Sequence, residues 1–171
     1  MRLIEGLGYL SEDRKGDGLT LNQSIADNVT VTKFDSCSRW GWLDLGTQRN
    51  QTEKLVNALK IRTQGVQQDV GSLSGGNQQK VILARELSRN PRTILAAEPT
   101  RGLDLESTAF VHEQLRHAAD GGASIVLITS DLDEAFALAD EIHVIYRGKL
   151  SERMKPEVAR ERIGALMAGL G

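Results

Sequence analysis

Short apolar runs alternate with amphipathic stretches along much of the chain. Apolar runs of strand length lie at residues 7–10, 93–97, 124–129 and 142–146. Apolar residues at helical spacing occur at 74–89, 105–119, 131–139 and 156–168. Because strands that alternate with helices pair in parallel, the pattern predicts an α/β fold with a mostly parallel sheet.

The residues from about 20 to 90 carry little strand pattern and predict a helical subdomain inserted into the α/β core. Helices are expected at 24–29 and 47–60, with an irregular stretch between them. Trp40 and Trp42 lie in this stretch, and packing on the helices is more frequent for paired tryptophans than contact with a membrane partner. The predicted organisation is one domain, 1–171, with a core at 1–19 and 91–155, the helical subdomain at about 20–90 and a terminal helix at 156–171.

Composition excludes several classes of protein. The 171 residues include 21 Lys and Arg against 23 Asp and Glu, and the net charge of −2 argues against a nucleic-acid partner. No apolar stretch approaches the length of a membrane span. The single cysteine, Cys37, excludes an internal disulfide and a cysteine-based metal site. The sequence therefore predicts a soluble protein of a reducing, cytoplasmic compartment.

The most specific motif is LSGGNQQK at residues 73–80. Gly75 and Gly76 open a predicted helix and leave its first N–H groups unobstructed, where the helix dipole adds partial positive charge. The Ser74 hydroxyl and the Gly76 amide are then placed to bind an anion. The alternative is a plain N-cap at Ser74 followed by glycines in a turn, which is the more frequent origin of an isolated Ser-Gly-Gly.

This motif resembles the signature motif of ATP-binding-cassette (ABC) ATPases, in the form that sugar and nucleoside importers carry. Four further segments resemble motifs of the same family in the same order. They are GYLSEDRKGDG at 8–18 (Q-loop region), TILAAEPTRGLD at 93–104 (Walker B strand and D-loop), IVLITSDLDE at 125–134 (switch loop) and DEIHVIYRGK at 140–149 (closing strands). The resemblance covers nearly the whole chain, and its form is that of the C-terminal cassette of fused two-cassette importer subunits.

The resemblance implies a partial P-loop NTPase core with an inserted helical subdomain. It also implies ATP and Mg²⁺ in the full assembly, a second cassette as partner, and membrane permease subunits at the inner face of the cell membrane. Family members place each ATP between one cassette's phosphate-binding loop and the other's signature motif. Ser74, Gly75, Gly76 and Asn77 are therefore expected to contact ATP held by the partner cassette. Asp104 of the D-loop is expected at the dimer seam, although an N-cap for the following helix explains it equally well.

The phosphate-binding loop of the family is missing from this sequence. No G-x-x-x-x-G-K-[ST] segment is present, and no lysine is followed by serine or threonine. That loop supplies the backbone amides and the lysine that bind the triphosphate. We therefore expect no nucleotide to bind this chain alone. We also expect the missing strand and loop upstream of Met1, which makes the chain an expressed piece or a truncated gene.

Three positions depart from the family pattern at the ATP site that the chain itself contributes to. Ala97 replaces the Walker B aspartate that supports Mg²⁺, so no metal ligand is expected there. Ser130 stands at the switch-loop histidine position. Glu12 stands at the Q-loop glutamine position, where glutamate is usual in second cassettes of this group. Glu98 matches the glutamate that polarises the attacking water, and a structural carboxylate at the end of a strand explains it equally well.

The sequence leaves two functions open. The first is part of the ATPase subunit of an importer for monosaccharides or nucleosides, with residues 96–97 and 111–115 favouring the nucleoside branch. The second is a non-enzymatic interaction module that keeps the cassette surface. A DNA-repair or translation ATPase is disfavoured, because the chain lacks the long insertions of those proteins and has no basic excess.

Overall fold

A parallel three-stranded sheet and its surrounding helices form the first of two compact units. The computed structural model describes residues 6–157 and 160–170, and the units are Met1–Ile128 and Thr129–Gly171. In the first unit the strands are β1 (Leu7–Leu10), β2 (Ser38–Arg39), β3 (Trp42–Leu43), β4 (Thr93–Ala97) and β5 (Ser124–Ile128). Its α-helices are α1 (Ile25–Thr30), α2 (Leu45–Ala58), α3 (Gly75–Leu87) and α4 (Leu105–Asp120).

The sheet has the strand order β1-β4-β5, and both pairs are parallel. Thr93 of β4 aligns with Leu7 on one side and with Ser124 on the other. This confirms the α/β class and the parallel pairing predicted from the sequence. Val126 and Ile128 of β5 are each 52% exposed, although parallel strands are ordinarily covered on both faces. Within the part of the chain that the structure describes, β5 is therefore an edge strand of the sheet with apolar side chains left uncovered on one face.

The segment between β1 and β4 is mainly helical, and α3 lies at its centre. Residues 81–83 of α3 are fully buried, and α1 and α2 pack against the same helix. Ser24, Asp44 and Ser74 cap the three helices, because each side-chain oxygen accepts a backbone N–H of the first turn. The helices predicted here are present, whereas the boundaries at 20 and 90 stay a prediction.

The irregular stretch between α1 and α2 contains a hairpin of β2 and β3. Trp40 and Gly41 form its two-residue turn with φ angles of 57° and 80°, a combination typical of tight hairpins. Trp40 is 90% exposed and Trp42 is 81% exposed. The expectation that these side chains pack on the helices is wrong, because the hairpin presents both of them to solvent.

We expect Trp40→Ala to change the free energy of unfolding by less than about 0.5 kcal/mol, because little buried contact is lost. Ile82→Ala, which empties a fully buried site, is the contrast, with an expected loss of about 2–5 kcal/mol. Trp40 and Trp42 are the only tryptophans, so iodide should quench most of the emission of the folded chain. Emission that resists quenching would show a packed hairpin tip and contradict the exposure described above.

The second unit has its own apolar core. Its elements are α5 (Leu132–Leu138), β6 (Ile145–Tyr146), β7 (Lys149–Leu150) and α6 (Arg160–Met167). The buried side chains of this core are Ile142, Val144, Met154 and Ile163. The terminal helix predicted from Pro156 is found over Arg160–Met167, and residues 158 and 159 lie outside the described residues. None of the described helices is long and apolar enough to span a bilayer.

The strand predicted at 142–146 differs from the structure in length and in pairing. Only Ile145–Tyr146 is strand, and it pairs antiparallel with β7 in a separate two-stranded sheet. Arg147 and Gly148 have φ angles of 46° and 77° and turn the chain back on itself. The strand therefore makes its hydrogen bonds within a local hairpin, and β1 instead provides the third strand of the parallel sheet.

Candidate functional site

The glycine-rich motif lies at the start of α3. Ser74 is the N-cap, and its Oγ accepts the Asn77 side-chain amide at 2.9 Å and the Asn77 backbone N–H at 3.5 Å. Ser74 nevertheless remains exposed. An exposed hydroxyl beside the first amides of a 13-residue helix is suited to bind an anion. The capping and the anion-binding interpretations of this motif are therefore compatible.

The two glycines of the motif have different roles. A Cβ at Gly76 would lie 2.2 Å from Ser107 Oγ and 3.0 Å from Ser107 Cβ, so this glycine lets α3 and α4 approach closely. A Cβ at Gly75 would meet its nearest neighbour, Arg14 Nη2, only at 3.8 Å. Gly76 is thus required by packing, while Gly75 keeps the surface beside Ser74 open.

Asp104 is the N-cap of α4, directly beside the start of α3. Its Oδ1 accepts the Ser107 backbone N–H at 2.8 Å and its Oδ2 accepts the Ser107 hydroxyl at 3.0 Å. These two hydrogen bonds, the backbone bond first, lower the pKa of Asp104. The N-cap explanation for Asp104 is therefore confirmed, and its place at a dimer seam stays a prediction.

Three cations that the sequence analysis missed border the same site. Lys60, Arg62 and Lys80 line a cleft of about 430 Å³ that also contains Ser74. Lys80 Nζ lies 4.3 Å from the centre of the Phe110 ring and donates to the Lys60 carbonyl at 3.1 Å. Burial lowers the pKa of Lys80. Of the three, Lys80 could have been predicted, because it follows Gly76 by four residues and so shares its helix face.

The Q-loop position is joined to the loop that precedes α4. Glu12 Oε2 lies 3.5 Å from Arg101 Nη1, and both side chains are mostly exposed. Arg14 and Gly102 line the same cleft of about 470 Å³. Neither the ion pair nor Arg14 was expected from the sequence, because residues 12–14 and 101–102 are brought together only by the fold.

The Walker B positions lie at the carboxyl end of β4. Ala97 aligns with Ile128 of β5, and the Glu98 N–H donates to the Ile128 carbonyl at 2.7 Å. Glu98 has a φ of 44°, a conformation uncommon outside glycine, at the sheet edge where ligands bind in open α/β folds. The Ala97 methyl offers no ligand, and no group of three or more His, Cys, Asp or Glu among the described residues could hold a metal ion. These residues do not fit Mg²⁺.

Ser130, the switch-loop position, belongs to the second unit. It precedes Asp131, the N-cap of α5, whose Oδ1 accepts the Asp133 N–H at 2.8 Å. The Ser130 side chain is exposed. Within the first unit, the fold brings the residues of the motif at 73–80 together with Asp104, and Glu12 together with Arg101.

Known proteins are similar to this chain in sequence. Residues 3–101 match the family model described as ABC transporter. The ribose import ATP-binding protein RbsA of Ruegeria sp. (strain TM1040) is 45% identical over 166 residues, 96% of this chain and 32% of that protein. The nucleoside import ATP-binding protein NupA of Lactococcus lactis subsp. cremoris (strain MG1363) is 35% identical over 168 residues, with 96% and 33% covered. The chain therefore spans about a third of the length of these relatives.

Solved structures share its fold. The ATP-binding cassette MJ0796, determined as a dimer in a post-hydrolysis state bound to ADP and Pi, has a TM-score of 0.71 at 22% identity. The match covers 91% of this chain and 65% of that one. A second dimeric structure of this bacterial ABC transporter cassette has a TM-score of 0.72 at 21% identity and the same coverage. The predicted cassette fold is thereby confirmed.

Proposed function

Because the chain belongs to the ABC transporter family, we propose that it supplies the signature side of an ATP site in an importer ATPase. A partner cassette supplies the phosphate-binding loop, which this sequence does not contain. The observation that carries the proposal is the exposed Ser74 hydroxyl at the glycine-opened start of α3. A lone P-loop cassette leaves the terminal phosphate of ATP exposed, and this surface has the chemistry to cover it.

At this site the chain acts by binding the negative charge of the nucleotide's phosphate. The Ser74 hydroxyl, the first amides of α3 and the positive end of the helix dipole bind the terminal phosphate of the partner's ATP. Stabilisation of the charge on the transferred phosphoryl group is the main source of catalysis in such reactions. Lys60, Arg62 and Lys80 line the same cleft together with Asp104, Glu106 and Glu113, so its formal charges balance, and Arg62 lies 3.6 Å from Glu106.

The chain also contributes its Walker B strand and switch loop to the second ATP site of the pair. That second site hydrolyses ATP poorly or not at all. Ala97 provides no carboxylate for the coordination sphere of Mg²⁺, and Ser130 lacks the imidazole of the family pattern. Glu12 is held in an ion pair with Arg101. Glu98 keeps its carboxylate, but this site lacks the aspartate and histidine that would position a metal-bound triphosphate next to it.

Ribose and nucleoside importers among the relatives support the substrate class. We assign the chain to an importer of monosaccharides or nucleosides, with a second cassette and membrane permease subunits as partners. The site of action is the cytoplasmic face of the cell membrane, where the chain is peripheral. The exposed apolar side chains of the edge strand β5 support an assembly in which further protein covers this face of the sheet.

The isolated chain is expected to show no saturable binding of ATP with Mg²⁺ at micromolar concentrations, because the loop that binds the triphosphate is absent. Titration with fluorescently labelled ATP measures this. A cassette that carries G-x-x-x-x-G-K-[ST] is the positive control under the same conditions. Micromolar binding by the isolated chain would contradict the proposal that ATP is held by the partner.

A further inference from the structure

The Asn77 side chain connects Ser74 to the segment that follows α2. Its Nδ2 donates to Ser74 Oγ at 2.9 Å, and its Oδ1 accepts the Arg62 backbone N–H at 2.9 Å. Because a backbone N–H can only donate, the amide oxygen of Asn77 must face Arg62 and its NH2 group must face Ser74. The position of the Arg62 backbone therefore sets the orientation of the Asn77 amide, and through it the hydrogen bonding of Ser74.

The Arg62 N–H belongs to a backbone segment that is held at two points. Ile61 is 6% exposed, and its N–H donates to the Val56 carbonyl of α2 at 2.9 Å. Lys80 of α3 donates from Nζ to the Lys60 carbonyl at 3.1 Å. The donor that orients Asn77 is thus fixed to both helices, although the Arg62 side chain itself is mostly exposed.

These contacts define what the Ser74 hydroxyl can offer to a ligand. Its oxygen accepts two hydrogen bonds from Asn77, one from the side-chain amide at 2.9 Å and a longer one from the backbone N–H at 3.5 Å. A serine hydroxyl has two acceptor lone pairs and one hydrogen to donate. With both lone pairs engaged, the exposed hydroxyl meets an incoming group as a donor. This arrangement suits a phosphate oxygen and disfavours a ligand group that presents an N–H.

We propose that Asn77 is a positioning residue, which directs the hydroxyl hydrogen of Ser74 outward by donating to the hydroxyl oxygen. The hydrogen bonds that support this role are present in the chain by itself. Their consequence for ATP hydrolysis rests on the proposed function, because only there does Ser74 meet a terminal phosphate. In this role Asn77 acts through Ser74, and a direct contact of Asn77 with the nucleotide is the alternative that the experiments separate.

Amide hydrogen exchange, measured by NMR on the full chain, tests the link to Arg62 without any partner. Asn77→Ala removes the acceptor and should accelerate exchange of the Arg62 amide about five-fold or more. Asn77→Asp keeps an acceptor oxygen and should leave this rate within about two-fold of the parent. Gln67→Ala shortens an exposed amide side chain between α2 and α3 and is the control, with an expected change of less than about two-fold. Unchanged exchange in Asn77→Ala overturns the link.

Kinetics of the assembled ATPase test the effect on Ser74. Asn77→Ala should lower kcat about ten-fold and change KM for ATP by less than about two-fold, because the phosphate-binding loop of the partner is untouched. Asn77→Asp should lower kcat at least as much, because its carboxylate accepts the Ser74 hydroxyl hydrogen and turns it away from the phosphate. Aspartate keeps the shape of asparagine and the bond to Arg62, so a merely structural role would tolerate it. A parental kcat in Asn77→Asp overturns the proposal, and this variant also decides should Asn77→Ala fail to fold.

A double-mutant cycle with Ser74→Ala shows whether Asn77 acts through the hydroxyl. Once the hydroxyl is absent, adding Asn77→Ala should lower kcat by no more than about two-fold further. Losses that multiply in full, or a rise in KM as the main effect of Asn77→Ala, would show a direct contact of Asn77 with the nucleotide and overturn the positioning role. If the unsubstituted assembly hydrolyses no ATP, the proposed function fails, and exchange at Arg62 still decides the link.

Discussion

In the assembled ATPase, Ser74→Arg is expected to reduce ATP turnover about 100-fold or more at the site that this chain completes. The substitution removes the exposed hydroxyl at the start of α3 and fills the open space beside Gly75 with a long side chain. The terminal phosphate then cannot reach the first amides of the helix. Steady-state ATP hydrolysis by the two-cassette protein measures the loss.

Two further variants separate this effect from charge and from folding. Gln67→Arg places the same side chain at an exposed position of the preceding loop, and turnover should stay within about two-fold of the parent. Ser74→Ala removes only the hydroxyl and should cost about ten-fold or more in turnover together with about 1 kcal/mol of stability from the lost cap. Unchanged turnover in Ser74→Arg would contradict the role proposed for Ser74 at the ATP site.

Sequence periodicity was sufficient to predict the elements that carry the parallel sheet. The apolar run at 93–97 has strand length, and the helix before it has a strong N-cap at Ser74, so both signals are local. The same rule predicts a strand of the parallel sheet at 142–146, and this prediction is wrong. Its apolar residues pack into a separate core with Met154, and the tight turn at 147–148 provides a nearer pairing partner than the sheet. Apolar composition predicts burial without specifying the partner strand.

The candidate site was predictable only where its residues are adjacent in sequence. The motif at 73–80 carries its own chemistry, so the anion-binding surface could be inferred from it. Arg14 and Gly102 line one cleft, and Glu12 pairs with Arg101, so residues 88 and 89 positions apart are brought together. The spacing of apolar residues along the sequence does not predict contacts between residues so far apart. The tryptophan hairpin was missed for a related reason, because aromatic composition alone favours burial.

The second large effect is expected from Gly76→Ala, which should lower the free energy of unfolding by about 1–3 kcal/mol. The added Cβ would lie 2.2 Å from Ser107 Oγ. Rotation of the Ser107 hydroxyl relieves that overlap only by breaking its 3.0 Å hydrogen bond to Asp104, and the contact of 3.0 Å with Ser107 Cβ remains. The strain exceeds the gain of about 1 kcal/mol that alanine brings over glycine in a helix.

Gly75→Ala is the matched comparison, because the same methyl group at the neighbouring position meets its nearest atom at an ordinary 3.8 Å. Its unfolding midpoint in urea should equal or exceed that of the parent, while Gly76→Ala unfolds at lower urea. Adding Ser107→Ala to Gly76→Ala removes the closest overlap and should restore part of the loss. Equal midpoints for the two single variants would show that α3 and α4 can separate freely, and that Gly76 serves ligand access and not helix packing.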